Sequence, residues 1–250
     1  AREALTKTPT ELWLNKFITN NKEMLSLKDK VRNVAPENDP ILIFGETGTG
    51  KELLARALHG SRKGPFVAIN CAGLPANLIE SELFGHEKDA FTGALKSKIG
   101  LMEEALDGTI FLDEIGDLAI EVQPKLLRAV QEMRIRRVGA NEERIINCRI
   151  ISATHRDLEK WIEEDQQRED SVFRFREDLF YRISTIILRP LPLRSRQSDI
   201  PKLLEFLDRD DQEIEDYVQF AEEIPIDKLK GNVRSLQQIV RRYILLGEKP

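Results

Sequence analysis

Two short stretches carry the residues best suited to chemistry. Gly45-Glu46-Thr47-Gly48-Thr49-Gly50-Lys51 combines three glycines with a lysine, and Asp113-Glu114 sets two carboxylates side by side after an apolar run. Glycines let a loop wrap with its N–H groups facing inward, and a lysine adds a full positive charge. Such a loop cradles an anion, above all where it opens a helix whose N-terminus is positive. Of two adjacent carboxylates, one can hold a divalent cation and the other can orient and polarise a water. His155, after another apolar run, can serve as a general base or as a hydrogen-bonding sensor of negative charge.

The elements flanking these groups fit that chemistry. Ile41-Leu42-Ile43-Phe44 reads as a buried parallel strand, and Glu52 to Leu58 as a good helix-forming run. Strand, loop, lysine and helix follow the G-x-x-x-x-G-K order of the Walker A motif, with Glu52 where Ser or Thr is usual. The bland alternative, a glycine turn beside a surface lysine, does not require that order. Gly108 to Glu114 is a strand ending in two acids, the look of Walker B, with Asp113 placed to hold Mg²⁺ and Glu114 to activate water. Glu114 then fills the base role, so His155 reads as a sensor of the γ-phosphate. Phe66 to Asn70, Arg149 to His155 and Thr185 to Leu188 are three more strands. The pattern predicts an α/β fold whose strand ends gather on one side of a parallel sheet, where ligands bind.

Between these landmarks the chain divides into further segments. Residues 1–17 read as a linker or N-terminal extension, or as a short helix from Thr10; residues 18–192 as the α/β subdomain; residues 193–250 as a small helical lid. Met24, Leu25, Leu27 and Val31 form a helical stripe, and Leu78 to Phe84 a helical segment. Pro124 opens a helix, Arg134 to Gly139 starts a hairpin, and the charged run Glu163 to Ser171 reads as a mobile loop. Phe173 to Arg182 reads as a helix rich in aromatics and arginines, and Asn232 as the N-cap of the last helix. Gly85 to Lys98 has neither period. It reads as a projecting loop whose Phe91 either marks a partner contact or packs down.

Composition sets the bounds. With 250 residues and 41% apolar residues, a sizeable core is available. The net charge of −5 argues against a nucleic-acid-binding domain. Two cysteines, Cys71 and Cys148, give no disulfide framework and suit a reducing cytoplasm. No apolar run approaches the ~20 residues of a membrane span. The chain begins at Ala1, as a fragment of a longer protein would.

Taken together, these motifs resemble the AAA+ ATPase domain of bacterial enhancer-binding proteins, the NtrC-like activators of sigma-54 RNA polymerase. Gly45 to Glu52 is similar to the family's Walker A, in which Glu follows the lysine. Asn70 matches its switch asparagine, which holds the Walker B glutamate away from water. Ser81 to Glu87 leads into Ala90-Phe91-Thr92-Gly93-Ala94, similar to the loop that touches sigma-54. Arg149 to Leu158 resembles sensor I with Thr154 and His155, Phe175 to Arg182 the arginine-finger helix, and Gly231-Asn232-Val233-Arg234 sensor II.

The resemblance implies a central five-stranded parallel sheet with a helical lid. It implies a Mg²⁺-dependent ATPase that works as a ring, usually a hexamer, in the cytoplasm and remodels the sigma-54 RNA polymerase holoenzyme. DNA contact would lie in a domain absent from this chain. Nucleotide would meet Gly45, Glu46, Thr47, Gly48, Thr49, Gly50, Lys51, Glu52, Thr154, His155 and Arg234. Catalysis would fall to Lys51, Asp113, Glu114, Asn70 and, from the neighbouring subunit, Arg176 and Arg182. Partner contact would fall to Phe91, Thr92 and Gly93. The sequence departs from the family at Asp89, which replaces the first Gly of Gly-Ala-Phe-Thr-Gly-Ala, and at Leu229-Lys230, which replaces Trp-Pro. Its lid is shorter and its loop from Glu163 to Phe173 longer than usual. The Asp89 departure keeps a second reading open, a nucleotide-gated oligomerising module that no longer engages sigma-54.

Overall fold

The computed structural model describes residues 8–167, 174–208 and 213–250. Helix α1 (Pro9–Leu14) starts where Thr8 Oγ1 accepts from Glu11 N at 3.3 Å and Pro9 needs no N–H partner, one residue before the start expected at Thr10. Asn21 caps α2 (Lys22–Val34), which buries Met24, Leu27 and Val31 and leaves Leu25 of the expected stripe exposed. Next come β1 (Ile41–Phe44), the glycine loop, α3 (Lys51–His59), β2 (Phe66–Asn70), α4 (Ala76–Phe84) and the short strands β3 (Gly85–His86) and β4 (Lys98–Ile99). They are followed by α5 (Leu101–Glu104), β5 (Thr109–Asp113), α6 (Gln123–Glu132), β6 (Arg134–Ile135), β7 (Arg144–Ile145) and β8 (Arg149–Thr154). The chain closes with α7 (Leu158–Gln166), α8 (Glu177–Ile183), β9 (Ile186–Leu188), α9 (Ile200–Leu207), α10 (Tyr217–Glu223) and α11 (Val233–Leu246).

The chain forms two compact units. One spans Glu37–Phe44 and Ser61–Leu188 and holds the sheet. Its five strands are all parallel, in the order β2-β5-β8-β1-β9. Register pairs Phe44 with Thr154, Asn70 with Asp113, and Leu112 with Ser152, so the polar strand ends share one edge. Strand β8 is buried at all six positions, as a central strand covered on both faces must be. Leu42, Ile110, Leu112 and Ile150 of the sheet pack with Leu83 of α4, Leu126 of α6, Ile162 of α7 and Leu179 of α8. Burying each such side chain contributes roughly 1.5–3 kcal/mol before entropy is charged against it.

The other unit holds the described residues of Ala1–Pro36, Gly45–Gly60 and Arg189–Pro250. Its core joins Leu193, Leu203, Leu204, Phe220, Leu236 and Val240. Buried Asp199 ties the segment after α1 to the segment before α9, accepting from Thr19 Oγ1 at 2.6 Å, from Asn20 N at 2.6 Å and from Arg196 Nη1 at 3.4 Å.

Three expectations are corrected. Glu163 to Gln166, expected in a mobile loop, belong to α7, which Asp157 caps and whose stripe Leu158, Ile162 and Asp165 is buried. That stripe begins before the charged run and is invisible within it. Residues 168–173, including Phe173 and the rest of the expected long loop, lie outside the described residues. Arg174 and Arg176 are not helical, because α8 starts only at Glu177 with Arg176 extended at φ −76°, ψ 130°. The stretch Gly85 to Lys98 is not strandless, since its ends pair as Gly85 with Ile99 and His86 with Lys98.

Candidate functional site

The glycine loop leaves β1 directly and enters α3. Gly48 and Gly50 take φ of 77° and 100°, which only glycine adopts freely. Close packing adds a second reason: a Cβ on Gly48 would lie 2.1 Å from Gly231 O, and one on Gly50 would lie 2.8 Å from the Phe17 ring. Lys51 is buried and donates from Nζ to Gly45 O at 2.8 Å and Glu46 O at 3.4 Å. Thr49 Oγ1 donates to Glu46 O at 2.8 Å. Glu52, exposed, pairs with Arg56 one helical turn on.

Groups far along the chain grip the same loop. Asn232 Nδ2 donates to Thr47 O at 3.0 Å and to Glu46 Oε2 at 3.2 Å, and Val233 N donates to Gly48 O at 3.1 Å. Arg196 Nη2 donates to Thr49 O at 3.3 Å. Arg194 forks onto the Glu46 carboxylate at 2.6 and 2.7 Å, which holds that carboxyl below the usual range. Asn232 thereby departs from the role expected of it. It stands at the N-cap position of α11, but its side chain caps nothing there and its backbone is held at φ 55°, ψ −131°. Such a conformation costs a non-glycine residue on the order of 1–3 kcal/mol. Beside the loop lies a cavity of about 630 Å³ lined by Trp13, Phe17, Gly48, Arg56, Arg196 and Arg234 among others. Lys16 and Arg56 lie 4.2 and 5.1 Å from the Trp13 ring centroid. Trp13, Phe17, Arg194 and Arg196 carry no motif signature and were not among the expected site residues.

At the polar edge of the sheet, Asp113 ends β5 and accepts from Glu114 N at 3.0 Å. Glu114 follows in the left-handed region at φ 50°. Its carboxylate accepts from His155 N at 3.2 Å and meets His155 Nδ1 at 2.6 Å. A carboxylate can only accept, so Nδ1 carries the proton. Thr154 is fully buried and its Oγ1 accepts from Arg156 N at 3.0 Å. Asn70 departs from the expected switch contact: its Oδ1 accepts from Ala72 N at 2.8 Å in a local turn, and His155 occupies the Glu114 carboxylate instead. Glu114, Asp117 and His155 gather oxygen and nitrogen atoms within 4.8 Å of one another, with Asp117 engaged by Arg156 at 3.2 Å.

The Phe91 stretch projects between β3 and β4. Asp89 takes φ 64° and donates from N to Ala94 O at 2.8 Å, closing the loop base in the left-handed conformation a glycine would supply. Glu87 N donates to Val138 O and Val138 N to Gly85 O, tying the base to the β6–β7 hairpin. Phe91 is 44% exposed, edge-on to His86 at 5.0 Å, with Thr92 and Gly93 exposed beside it. Leu95, which sequence reading passed over, is 80% exposed on the same loop.

The two finger candidates differ. Arg176 forks onto Asp178 at 2.7 and 3.0 Å. Arg182 is exposed and forms no side-chain hydrogen bond or ion pair among the described residues.

Residues 17–189 match the family model described as the sigma-54 interaction domain. The transcriptional regulatory protein GlrR of Escherichia coli (strain K12) is 41% identical over 251 residues, covering 96% of this chain and 54% of that protein. The Nif-specific regulatory protein of Azotobacter vinelandii is 48% identical over 196 residues, covering 77% of this chain and 36% of that one. This chain thus spans about half or less of the curated relatives it matches. Among solved structures, NtrX from Brucella abortus in complex with ATP aligns at TM-score 0.77 and 34% identity, covering 92% of this chain and 50% of that one. Hsp104, at 17% identity and TM-score 0.64, shares the fold alone. The architecture is that of the AAA+ ATPases, and the chain belongs to the sigma-54 interaction domain family of bacterial transcriptional activators.

Proposed function

We propose that this chain is the ATPase of a sigma-54-dependent activator, coupling hydrolysis in a ring, usually a hexamer, to remodelling of the sigma-54 RNA polymerase closed complex. The observation that carries the reading is the glycine loop with Lys51 laid across its carbonyls, in a chain matched to the sigma-54 interaction domain over residues 17–189. Lys51 and the loop N–H groups bind the phosphates, and Arg234 adds positive charge. Asp113 fits Mg²⁺, since one strand-end carboxylate completed by phosphate oxygens and waters is a donor set this cation takes. The cation would neutralise charge on the phosphates. Glu114 polarises the attacking water, and His155 fixes the direction of its carboxylate. Thr154 and His155 respond to the γ-phosphate. Arg182, and Arg176 once released from Asp178, stabilise the transferring phosphoryl from a neighbouring copy, an effect worth ~10³–10⁵ in rate.

The alternative, a nucleotide-gated module that has lost sigma-54, rests on Asp89. Its backbone takes a positive φ of 64°, a conformation open to glycine, which supports the engaged form. Mixing the protein with sigma-54 and ADP–aluminium fluoride tests this. A stable complex is expected, and no complex despite intact Mg²⁺-dependent phosphate release would favour the alternative.

A further inference from the structure

Five consecutive loop carbonyls, those of residues 45 to 49, each accept a hydrogen bond. Lys51 and Thr49 serve the first two from within the loop. The last three are served from outside it by Asn232, Val233 and Arg196. A carbonyl held this way cannot turn its lone pairs toward a bound anion, so an anion meets N–H groups only. Among the outside groups Asn232 is singular. It is fully buried, it holds two loop acceptors and Leu193 N at once, and it keeps a backbone conformation that an ordinary helix cap would not need.

We propose that Asn232 is a positioning residue for ATP: its amide holds the Thr47 carbonyl and the Glu46 carboxylate outward, so that the loop presents only donors to the phosphates. The proposal rests on the reading that this loop binds ATP. Asn232 does not touch the nucleotide in this role. It acts through the peptide of Thr47, and Val233, which follows it, acts through Gly48.

The test uses the 250-residue chain. N232D keeps the shape but sets a carboxylate against Glu46 and the Thr47 carbonyl. Its KM for ATP and its Kd for a fluorescent ATP analogue should rise about tenfold, the scale of one or two lost hydrogen bonds, with kcat at saturation within about threefold. The rise in Tm on adding nucleotide should shrink accordingly. N232G accepts the positive φ without strain, so it folds even if N232D does not, and it should show the same loss. Rescue separates positioning from mere support of the lid. In the E46Q background, the amide introduced at position 46 can donate to the carboxylate introduced at position 232, which removes the repulsion there while the Thr47 carbonyl still lacks its donor, so the loss caused by N232D should shrink from about tenfold to about threefold. A folded variant with wild-type Kd and wild-type nucleotide shift overturns the role of Asn232 alone, as does an equal penalty in both backgrounds. A wild-type chain that binds no ATP analogue overturns the nucleotide reading, and this proposal with it.

Discussion

His155 lies against the Glu114 carboxylate with both its ring and its backbone, Nδ1 at 2.6 Å and N at 3.2 Å. Two donors on one carboxylate fix its direction, and Glu114 itself sits in the left-handed region at φ 50°. If this carboxylate activates water, E114Q keeps the shape and one acceptor but loses the basicity. Its kcat should fall at least ~10²-fold while ATP affinity changes by less than about threefold. Phosphate release and a fluorescent-nucleotide titration measure the two, and undiminished turnover would remove Glu114 from the chemistry.

Phe91 and Leu95 expose apolar surface on one loop whose base is tied to Val138. Neither side chain belongs to the buried core. F91A and L95S should therefore leave Tm within about 2 °C and ATP turnover within about twofold, since exposed sites away from packing are usually within ±0.5 kcal/mol. Both should weaken the complex with sigma-54 trapped by ADP–aluminium fluoride, F91A the more. Full complex formation by F91A would take the loop out of the contact.

Much of this is legible in the sequence. Strand, loop and helix at Ile41 to Leu58 obey local rules: four apolar residues, glycines at positive φ, then good helix formers. The acids ending β5 and the buried run of β8 were equally plain. What sequence reading missed depends on contacts between residues far apart in the chain. Nothing near Asn232 says that its amide reaches Glu46 and Thr47, and a Ser, Thr, Asp or Asn before an apolar stripe ordinarily means a cap. Arg194 and Arg196 look like two surface cations, yet one forks onto Glu46 and the other is buried against Thr49 O. The charged tail of α7 hid its own helix because the buried stripe starts before it, at Leu158.

Arg182 and Arg176 present a choice that partner chemistry resolves. Arg176 spends its fork on Asp178, whose carboxyl it holds below the usual range, whereas Arg182 has no such engagement among the described residues. R182A should lower kcat by ~10² or more with ATP binding retained, and R176A by a smaller factor. Because a finger acts on the neighbour's nucleotide, an equimolar mixture of R182A and E114Q should regain turnover that neither has alone. A mixture as inactive as its parts would place Arg182 outside any shared site.

The two cysteines give a pH prediction. Burial pushes the Cys71 thiol up to about 12, helped by Asp113, Asp117 and Glu114, and burial does the same to Cys148. A folded pKa above the ordinary 9.0 means the native state disfavours the thiolate. The stability this represents is complete below pH 9.0 and is lost as pH climbs toward 12, where the unfolded chain ionises first. At pH 8 neither thiol should react with a thiolate-selective disulfide reagent faster than the protein unfolds. C71S and C148S, lacking an ionisable thiol, should each flatten the alkaline fall in Tm. Rapid labelling of Cys71 in the native protein would contradict its burial.

Two glycines separate steric fit from backbone strain. Gly48 and Gly93 both take positive φ, 77° and 104°. A Cβ on Gly48 would sit 2.1 Å from Gly231 O and 3.3 Å from Arg234 Cβ, while one on Gly93 meets nothing within 4 Å. G93A therefore carries only the conformational cost of a left-handed alanine, roughly 1–2 kcal/mol, on an exposed loop. G48A adds an overlap between loop and Gly231 that only displacing one of them relieves, a further ~1–3 kcal/mol. Thermal unfolding should show a clearly larger drop in Tm for G48A, together with loss of ATP affinity, while G93A keeps nucleotide binding. Equal shifts in the two variants would mean that Gly48 is needed for its φ alone and that its closeness to Gly231 has no energetic weight.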